Sequence, residues 1–184
     1  MYSAQITRAN PTCVVLLIDG SRSMASPFGG SGMERKADFV ADVVNHTLHD
    51  LVIRCTKTEE IRDYYYVSII SYSGRGVGSA FVGALSGRGL TRISEVAEYP
   101  ARIERRIKRV PDGRGGFIEQ TARIPVWVDP LADGETPMCA GFALAKQQLA
   151  EWLTEHRRGY PPTVLHLTDG ESSDGDPTEL GREV

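Results

Sequence analysis

The sequence predicts an α/β fold with a mostly parallel sheet, and three observations predict it. Residues 12–19, Thr-Cys-Val-Val-Leu-Leu-Ile-Asp, form an unbroken apolar run that is too short for a helix and ends in a carboxylate. A polar, glycine-rich loop and then a long stretch with helical apolar spacing follow it, which is the order of a βα unit. A second helical stretch leads into another short apolar run, residues 163–168, which again stops at an aspartate, Asp169.

Taken in chain order, residues 12–19 read as a strand buried on both faces, rich in β-branched residues and closed by Gly20. Residues 33–54 place Ala37, Val40, Ala41, Val44, Leu48, Leu51 and Val52 three and four apart, as on one face of a helix. Residues 64–72 (Tyr-Tyr-Tyr-Val-Ser-Ile-Ile-Ser-Tyr) read as a second strand. Gly74, Gly76 and Gly78 then turn the chain into a short third strand, Ala80-Phe81-Val82. So short a link permits only an antiparallel neighbour, since a parallel return needs a crossover.

Residues 83–134 have weaker periodicity and read as an insertion that elaborates the sheet within a single domain, residues 1–184. Residues 90–98 read as a short helix closed by Pro100. Residues 102–110 and 117–128 flank a turn-rich Pro-Asp-Gly-Arg-Gly-Gly, the layout of a hairpin, although Ile103, Ile107 and Val110 also fit helical spacing. Thr136-Pro137 opens the next helix, where proline's missing donor costs little. Ala140, Leu144, Ala145, Gln148, Leu149 and Trp152 mark its face, and the strand at 163–168 then runs parallel to the first.

Composition bounds the function. The chain has 184 residues, 41% hydrophobic and 24% charged, which suits one globular domain and neither a disordered nor a fibrous chain. It carries 21 basic and 24 acidic residues, a net charge of −3, which argues against a protein built around nucleic acid. No apolar run approaches the roughly 18–20 residues of a membrane helix, and the polar N-terminus lacks the layout of a secretory signal. Cys13, Cys55 and Cys139 are odd in number, far apart and form no C-x-x-C. They argue against a disulfide framework or a zinc site and for a reducing, cytoplasmic compartment.

Three segments share one place in such a fold. Asp19-Gly20-Ser21-Arg22-Ser23 follows the first strand, Thr136 lies in the loop before the second long helix, and Asp169 ends the last strand. Loops at the carboxyl ends of parallel strands gather on one rim, where ligands bind. Two carboxylates and three hydroxyls on that rim make an all-oxygen set of the kind that hard cations, Mg²⁺ above all, prefer. Two carboxylates balance a divalent ion, and the weakly donating hydroxyls leave it electrophilic enough to take an acidic oxygen from outside.

Asp-x-Ser-x-Ser at Asp19, Ser21 and Ser23, with Thr136 in a Thr-Pro-Met context and Asp169-Gly170 after an apolar strand, resembles the metal-ion-dependent adhesion site of von Willebrand factor type A domains. The likeness runs over residues 12–170, with three motifs in the family's order. It implies a Rossmann-like sheet with helices on both faces and one antiparallel strand. It also implies Mg²⁺ or Mn²⁺ held by the hydroxyls of Ser21, Ser23 and Thr136 and by Asp19 and Asp169, directly or through water. Such a metal recruits a Glu or Asp carboxylate from a protein partner, so the resemblance implies an interaction module, not an enzyme, with neither nucleic acid nor membrane as partner. With a reducing compartment, it points to the bacterial intracellular members, which work beside AAA+ ATPases, kinases or stress and defence systems. This sequence departs from the family in two places. The family continues through two more βα units where only fifteen residues follow Asp169, so the last strands are expected to be missing here or supplied from elsewhere, and residues 83–134 exceed a plain connection.

Simpler readings compete at each position. Asp19, Ser21 and Ser23 suit an Asx turn or helix cap, Thr136 an N-cap, and Asp169-Gly170 a plain turn. Glu171, Asp174 and Asp176 read as turn residues before they read as further ligands. Gly29-Gly30-Ser31-Gly32 lacks the Gly-Lys-Ser/Thr ending of a nucleotide loop. Arg102, Arg105, Arg106, Lys108 and Arg109, interrupted by Glu104, suit a solvated face or a protein contact better than nucleic acid. His46, His49 and His166 read as structural, and Cys139 as a small buried residue. Two functional alternatives remain: a metal-dependent phosphohydrolase, whose Asp-x-Asp pattern is met here by Ser21 at the second position, and a scaffold with a purely structural metal.

Overall fold

The computed structural model describes residues 5–29, 34–111, 113, 116–157 and 159–184. In chain order the elements are β1 (Thr12–Asp19), α1 (Lys36–Cys55), β2 (Thr56–Lys57), β3 (Glu60–Ile61), β4 (Tyr65–Ser73), β5 (Gly76–Ser79), β6 (Thr91–Arg92), α2 (Ile93–Glu98), β7 (Arg102–Pro111), β8 (Phe117–Val126), α3 (Met138–Glu155), β9 (Thr163–Leu167) and α4 (Thr178–Glu183). The main sheet has the order β5-β4-β1-β9, with the two-residue β6 also on β4. β1 is parallel to β4 and to β9, while β5 and β6 are antiparallel to β4. The fold is therefore α/β with a mixed, mostly parallel sheet.

The unbroken apolar run of β1 follows from its central place. Its alternate side chains enter two different cores: Leu16 and Ile18 pack with Val44 and Leu48 of α1, whereas Val15 and Leu17 pack with Ala145 and Leu149 of α3. Each such fully buried aliphatic side chain contributes about 1.5–3 kcal/mol by leaving water. α3 can approach closely because residue 141 is glycine: a Cβ there would lie 2.8 Å from Cδ1 of Tyr72.

The two crossovers from this arrangement leave β1 in opposite directions. Through α1 the chain reaches β4 on one side, and through α3 it arrives at β9 on the other, so the strand order reverses between β1 and β9. In open α/β sheets that reversal opens a crevice at the carboxyl ends of the two strands. Asp19 closes β1 and Asp169 lies two residues past the end of β9, both at this crevice.

The insertion differs from expectation. Residues 102–110 and 117–128 do form a hairpin, but it does not extend the main sheet: β7 and β8 make a separate two-stranded ribbon, paired over ten positions from Arg102↔Val126 to Pro111↔Phe117. Its root is fixed by Asn45 of α1, a buried amide whose Oδ1 accepts from the backbone of Trp127 (2.8 Å) and Val128 (3.1 Å), while its Nδ2 donates to Val128 O (2.9 Å). This buried amide adds to the backbone contact that the root makes on its other side, where Val82 N donates to Trp127 O at 2.8 Å. The third strand also lies earlier than expected, at Gly76–Ser79, leaving at Phe81 only an isolated bridge to Val128. The tight turn comes at Ser73 to Gly76, because Tyr72↔Val77 and Ser73↔Gly76 are already paired. The helix expected over 90–98 shortens to α2, as Thr91 and Arg92 pair with β4 instead. Among the described residues no helix is long and apolar enough to cross a membrane.

Candidate metal centre

β1 delivers Asp19 to the rim almost fully buried, 1% exposed. The chain leaves it in a short turn: Ser21 N donates to Asp19 Oδ1 at 2.8 Å, so the Asx-turn reading is correct locally. The same turn aims its hydroxyls at something further away. Ser21 Oγ and Ser23 Oγ are 3.0 Å apart, and Ser23 Oγ donates to Asp169 Oδ1 at 2.6 Å. The other oxygen of Asp19 accepts from Thr168 Oγ1 at 2.8 Å. Four of the five expected residues thus form one hydrogen-bonded cluster, although Asp19 and Asp169 are 150 positions apart.

Thr136 adjoins this cluster through its backbone. Asp133 N donates to Gly20 O (2.7 Å), Arg22 N to Gly134 O (3.0 Å), Thr136 N to Ser173 Oγ (3.1 Å) and Ser173 N to Thr136 O (2.9 Å). The loop before α3 is therefore stitched to the exit of β1 on one side and to the exit of β9 on the other. Among the described residues the Thr136 hydroxyl has no hydrogen-bond partner, so the N-cap alternative is not realised. The loop passes so close to the β4–β5 turn that only glycine is accommodated. Gly134 has φ +66, and a Cβ on it would fall 2.4 Å from the Cα of Gly74.

Two contributors, Lys36 and Thr168, were not legible in the sequence. Lys36, the first residue of α1, donates from Nζ to Asp169 Oδ2 at 2.6 Å. Burial works against the charge of Asp169, but the hydrogen bonds from Lys36 and Ser23 hold its carboxyl below the usual carboxylate range. Thr168 clamps Asp19, and its only sequence signal is its place beside Asp169. Asp174 accepts from the N–H groups of Cys139 (2.9 Å) and Ala140 (2.9 Å), so a residue 35 positions away caps α3. Asp176 likewise bonds Thr178 N at the start of α4. These two carboxylates are spent on helix ends and do not enter the cluster.

Below the rim, Tyr72 Oη lies 2.7 Å from His166 Nε2. Burial lowers the pKa of His166, opposed by the charge of Asp19, and burial raises that of Tyr72, so the hydrogen bond joins two uncharged groups. Burial also pushes the thiols up, Cys13 to about 12 and Cys55 to about 11, which leaves them inert. His46 bonds Asp42 O of its own helix through Nδ1 at 2.9 Å. Among the described residues no group of three or more His, Cys, Asp and Glu could hold a metal. Any ion at the rim would therefore depend on hydroxyl oxygens as well as the two carboxylates. The Gly29–Gly32 stretch lies mostly outside the described residues, and of it only Gly29 is described.

The rim's donors are side-chain oxygens, the donor type that Mg²⁺ takes. In an octahedron with metal–oxygen bonds of 2.0–2.1 Å, adjacent oxygens lie about 3 Å apart. The Ser21–Ser23 and Ser23–Asp169 oxygen pairs stand 3.0 and 2.6 Å apart, lengths that the hydrogen bonds between them already account for. Counting side chains, Asp19 and Asp169 bring two negative charges and Lys36 one positive, so a net charge of −1 remains. The chain matches no protein-family model and no curated protein.

Proposed function

We propose that this rim is a metal-ion-dependent adhesion site on a Rossmann-like domain of the von Willebrand factor A type, and that the chain is a Mg²⁺-dependent protein-interaction module. The observation that carries the reading is the oxygen chain Ser21–Ser23–Asp169, which unites the ends of β1 and β9 at the strand-order reversal. Asp19, Ser21, Ser23, Thr136 and Asp169 are the residues that would hold the ion. When bound, Mg²⁺ (or Mn²⁺) supplies an electrophilic position that a partner's Glu or Asp carboxylate fills. The protein's own part is positioning. Thr168 and the Ser21 N–H fix Asp19, Lys36 holds the outer oxygen of Asp169 and turns the inner one toward Ser23, and the unengaged hydroxyl of Thr136 is free to join the set. The working context that goes with this reading is a cytoplasmic bacterial assembly with an AAA+ ATPase or kinase.

The phosphohydrolase alternative has less support. Asp19 is buried with both oxygens engaged, which is a poor presentation for a nucleophile, and Ser21 stands where an acid/base carboxylate is needed. The test is capture of partners from a lysate in Mg²⁺, in EDTA, and with Thr136→Ala in Mg²⁺. The expected result is a partner set retained only by the unaltered protein in Mg²⁺, with the variant melting at the same temperature. An identical set in all three arms overturns the reading, and loss of folding in Thr136→Ala supports a structural metal instead.

A further inference from the structure

The β7–β8 ribbon has two faces with different ionic accounts. On the inner face, Arg102 pairs with Glu104 (2.8 Å) and Asp129 (2.7 Å), and Arg106 pairs with Glu104 (3.1 Å) and with Asp42 of α1. Ile124 and Val126 are buried on that same face. Every described charge there is matched, and the face is anchored on α1.

The outer face carries Ile103 opposite Pro125, Arg105 opposite Arg123, Ile107 opposite Thr121, and Phe117 near the tip. Ile107 and Phe117 are 68% and 70% exposed. Arg105 and Arg123 face each other directly across the ribbon, and neither guanidinium has a hydrogen bond or ion pair with any described residue. Like charges at directly opposed positions are destabilising, and a two-stranded ribbon has little stability to spare. Among the described residues the one carboxylate on this face is Glu119, which stands opposite Arg109, four residues along the strand from Arg123.

We propose that this outer face is a docking surface for an acidic, apolar-bearing segment of a partner protein. Two guanidinium groups side by side match carboxylates, which they bind bidentately. Ile103, Ile107 and Phe117, ranged on either side of the arginine pair, need apolar side chains to cover them. A phosphate backbone offers the charge but not the apolar cover, and the chain's net charge of −3 repels it. The surface is separate from the rim and needs no metal.

The experiment uses the full chain and a fluorescein-labelled peptide alternating glutamate and leucine, read by fluorescence anisotropy. Controls are a lysine–leucine peptide and a single-stranded DNA oligonucleotide. The glutamate–leucine peptide is expected to bind in EDTA as well as in Mg²⁺, more weakly as salt rises. The double variant Arg105→Glu, Arg123→Glu is expected to bind it about tenfold more weakly or less. The single variant Arg123→Glu, which replaces a like pair by an opposite one, is expected to melt at or above the temperature of the unaltered protein while binding less well. Undiminished binding by the double variant overturns the proposal, as does equal binding of the lysine peptide, preference for the oligonucleotide, absence of peptide binding, or loss of binding in EDTA.

Discussion

The rim and the ribbon use the same kinds of group to opposite ends. At the rim, charged and hydroxyl-bearing residues from the ends of β1 and β9 bond one another, and backbone bonds from the loop before α3 lock them in place. A charge of −1 remains, at a rim where Asp19 and Ser21 are buried and Ser23, Thr168 and Asp169 are exposed. On the outer face of the ribbon, two arginines stand opposed with no carboxylate between them, on an exposed surface with apolar neighbours. The lesson is that uncompensated charge has a different meaning in each place. Where tertiary structure converges on it, the charge is held by hydrogen bonds from segments far apart in the chain. Where two strands merely display it, the residue is a surface suited to another macromolecule.

The sharpest way to break that comparison is to make one glycine substitution in each region. Both Gly134 at the rim and Gly113 at the ribbon's turn have positive φ, but a Cβ at Gly113 meets nothing within 4 Å, whereas at Gly134 it meets the backbone of Gly74. Gly113→Ala should cost about 1–2 kcal/mol from the left-handed backbone alone. Gly134→Ala should cost more, on the order of 3 kcal/mol or above, and should loosen the loop that carries Thr136. Urea melts of the two variants decide it, and equal costs would mean that the rim is not packed as described.

A smaller effect separates an ion site from a merely hydrogen-bonded cluster. If the rim binds Mg²⁺, the unaltered protein gains about 2.7 kcal/mol at a hundredfold excess over Kd, visible as a rise in Tm. Asp19→Asn should abolish that rise yet change the Tm in EDTA little, because an amide oxygen still accepts from Ser21 N. No Mg²⁺-dependent shift in the unaltered protein would remove the ion from the site.

The smallest expected effect lies beneath the rim. Burial lowers the pKa of His166 in the folded protein, so its contribution is complete above the unfolded value of about 6.5 and is lost as pH falls through that value toward the folded one. Stability should therefore decline between pH 7.5 and 5.5, and His166→Gln should flatten the decline. A further loss is expected below about pH 4, where Asp169, whose pKa is also lowered, takes up its proton and leaves Lys36 without a partner.

Much of the fold was legible because it rests on local pattern. β1 reads as buried on both faces because six consecutive apolar residues, Cys13 to Ile18, leave no polar side, and α1 and α3 read as helices because their apolar residues return every three or four positions. The order of βα units placed Asp19 and Asp169 at strand ends, and so on one rim, before any coordinate was known. The third strand was misplaced because glycines signal turns, and here Gly76 and Gly78 lie inside β5. The ribbon's separation from the sheet was not legible either, since it depends on Asn45, 82 positions before Trp127.

By itself, the sequence determined the long elements β1, α1, β4, α3 and β9, and which oxygen-bearing residues follow them, because periodicity and turn chemistry act over a few neighbouring positions. Only the tertiary structure decided that Lys36 would neutralise part of Asp169, that Thr168 would clamp Asp19, that Asp174 would cap α3, and that Arg105 would face Arg123. Each of these depends on strand order and register, which close the chain on itself across 18 to 149 positions. Hydrogen bonds and ion pairs act over a few ångströms in space, and residue spacing along the chain carries no record of that distance.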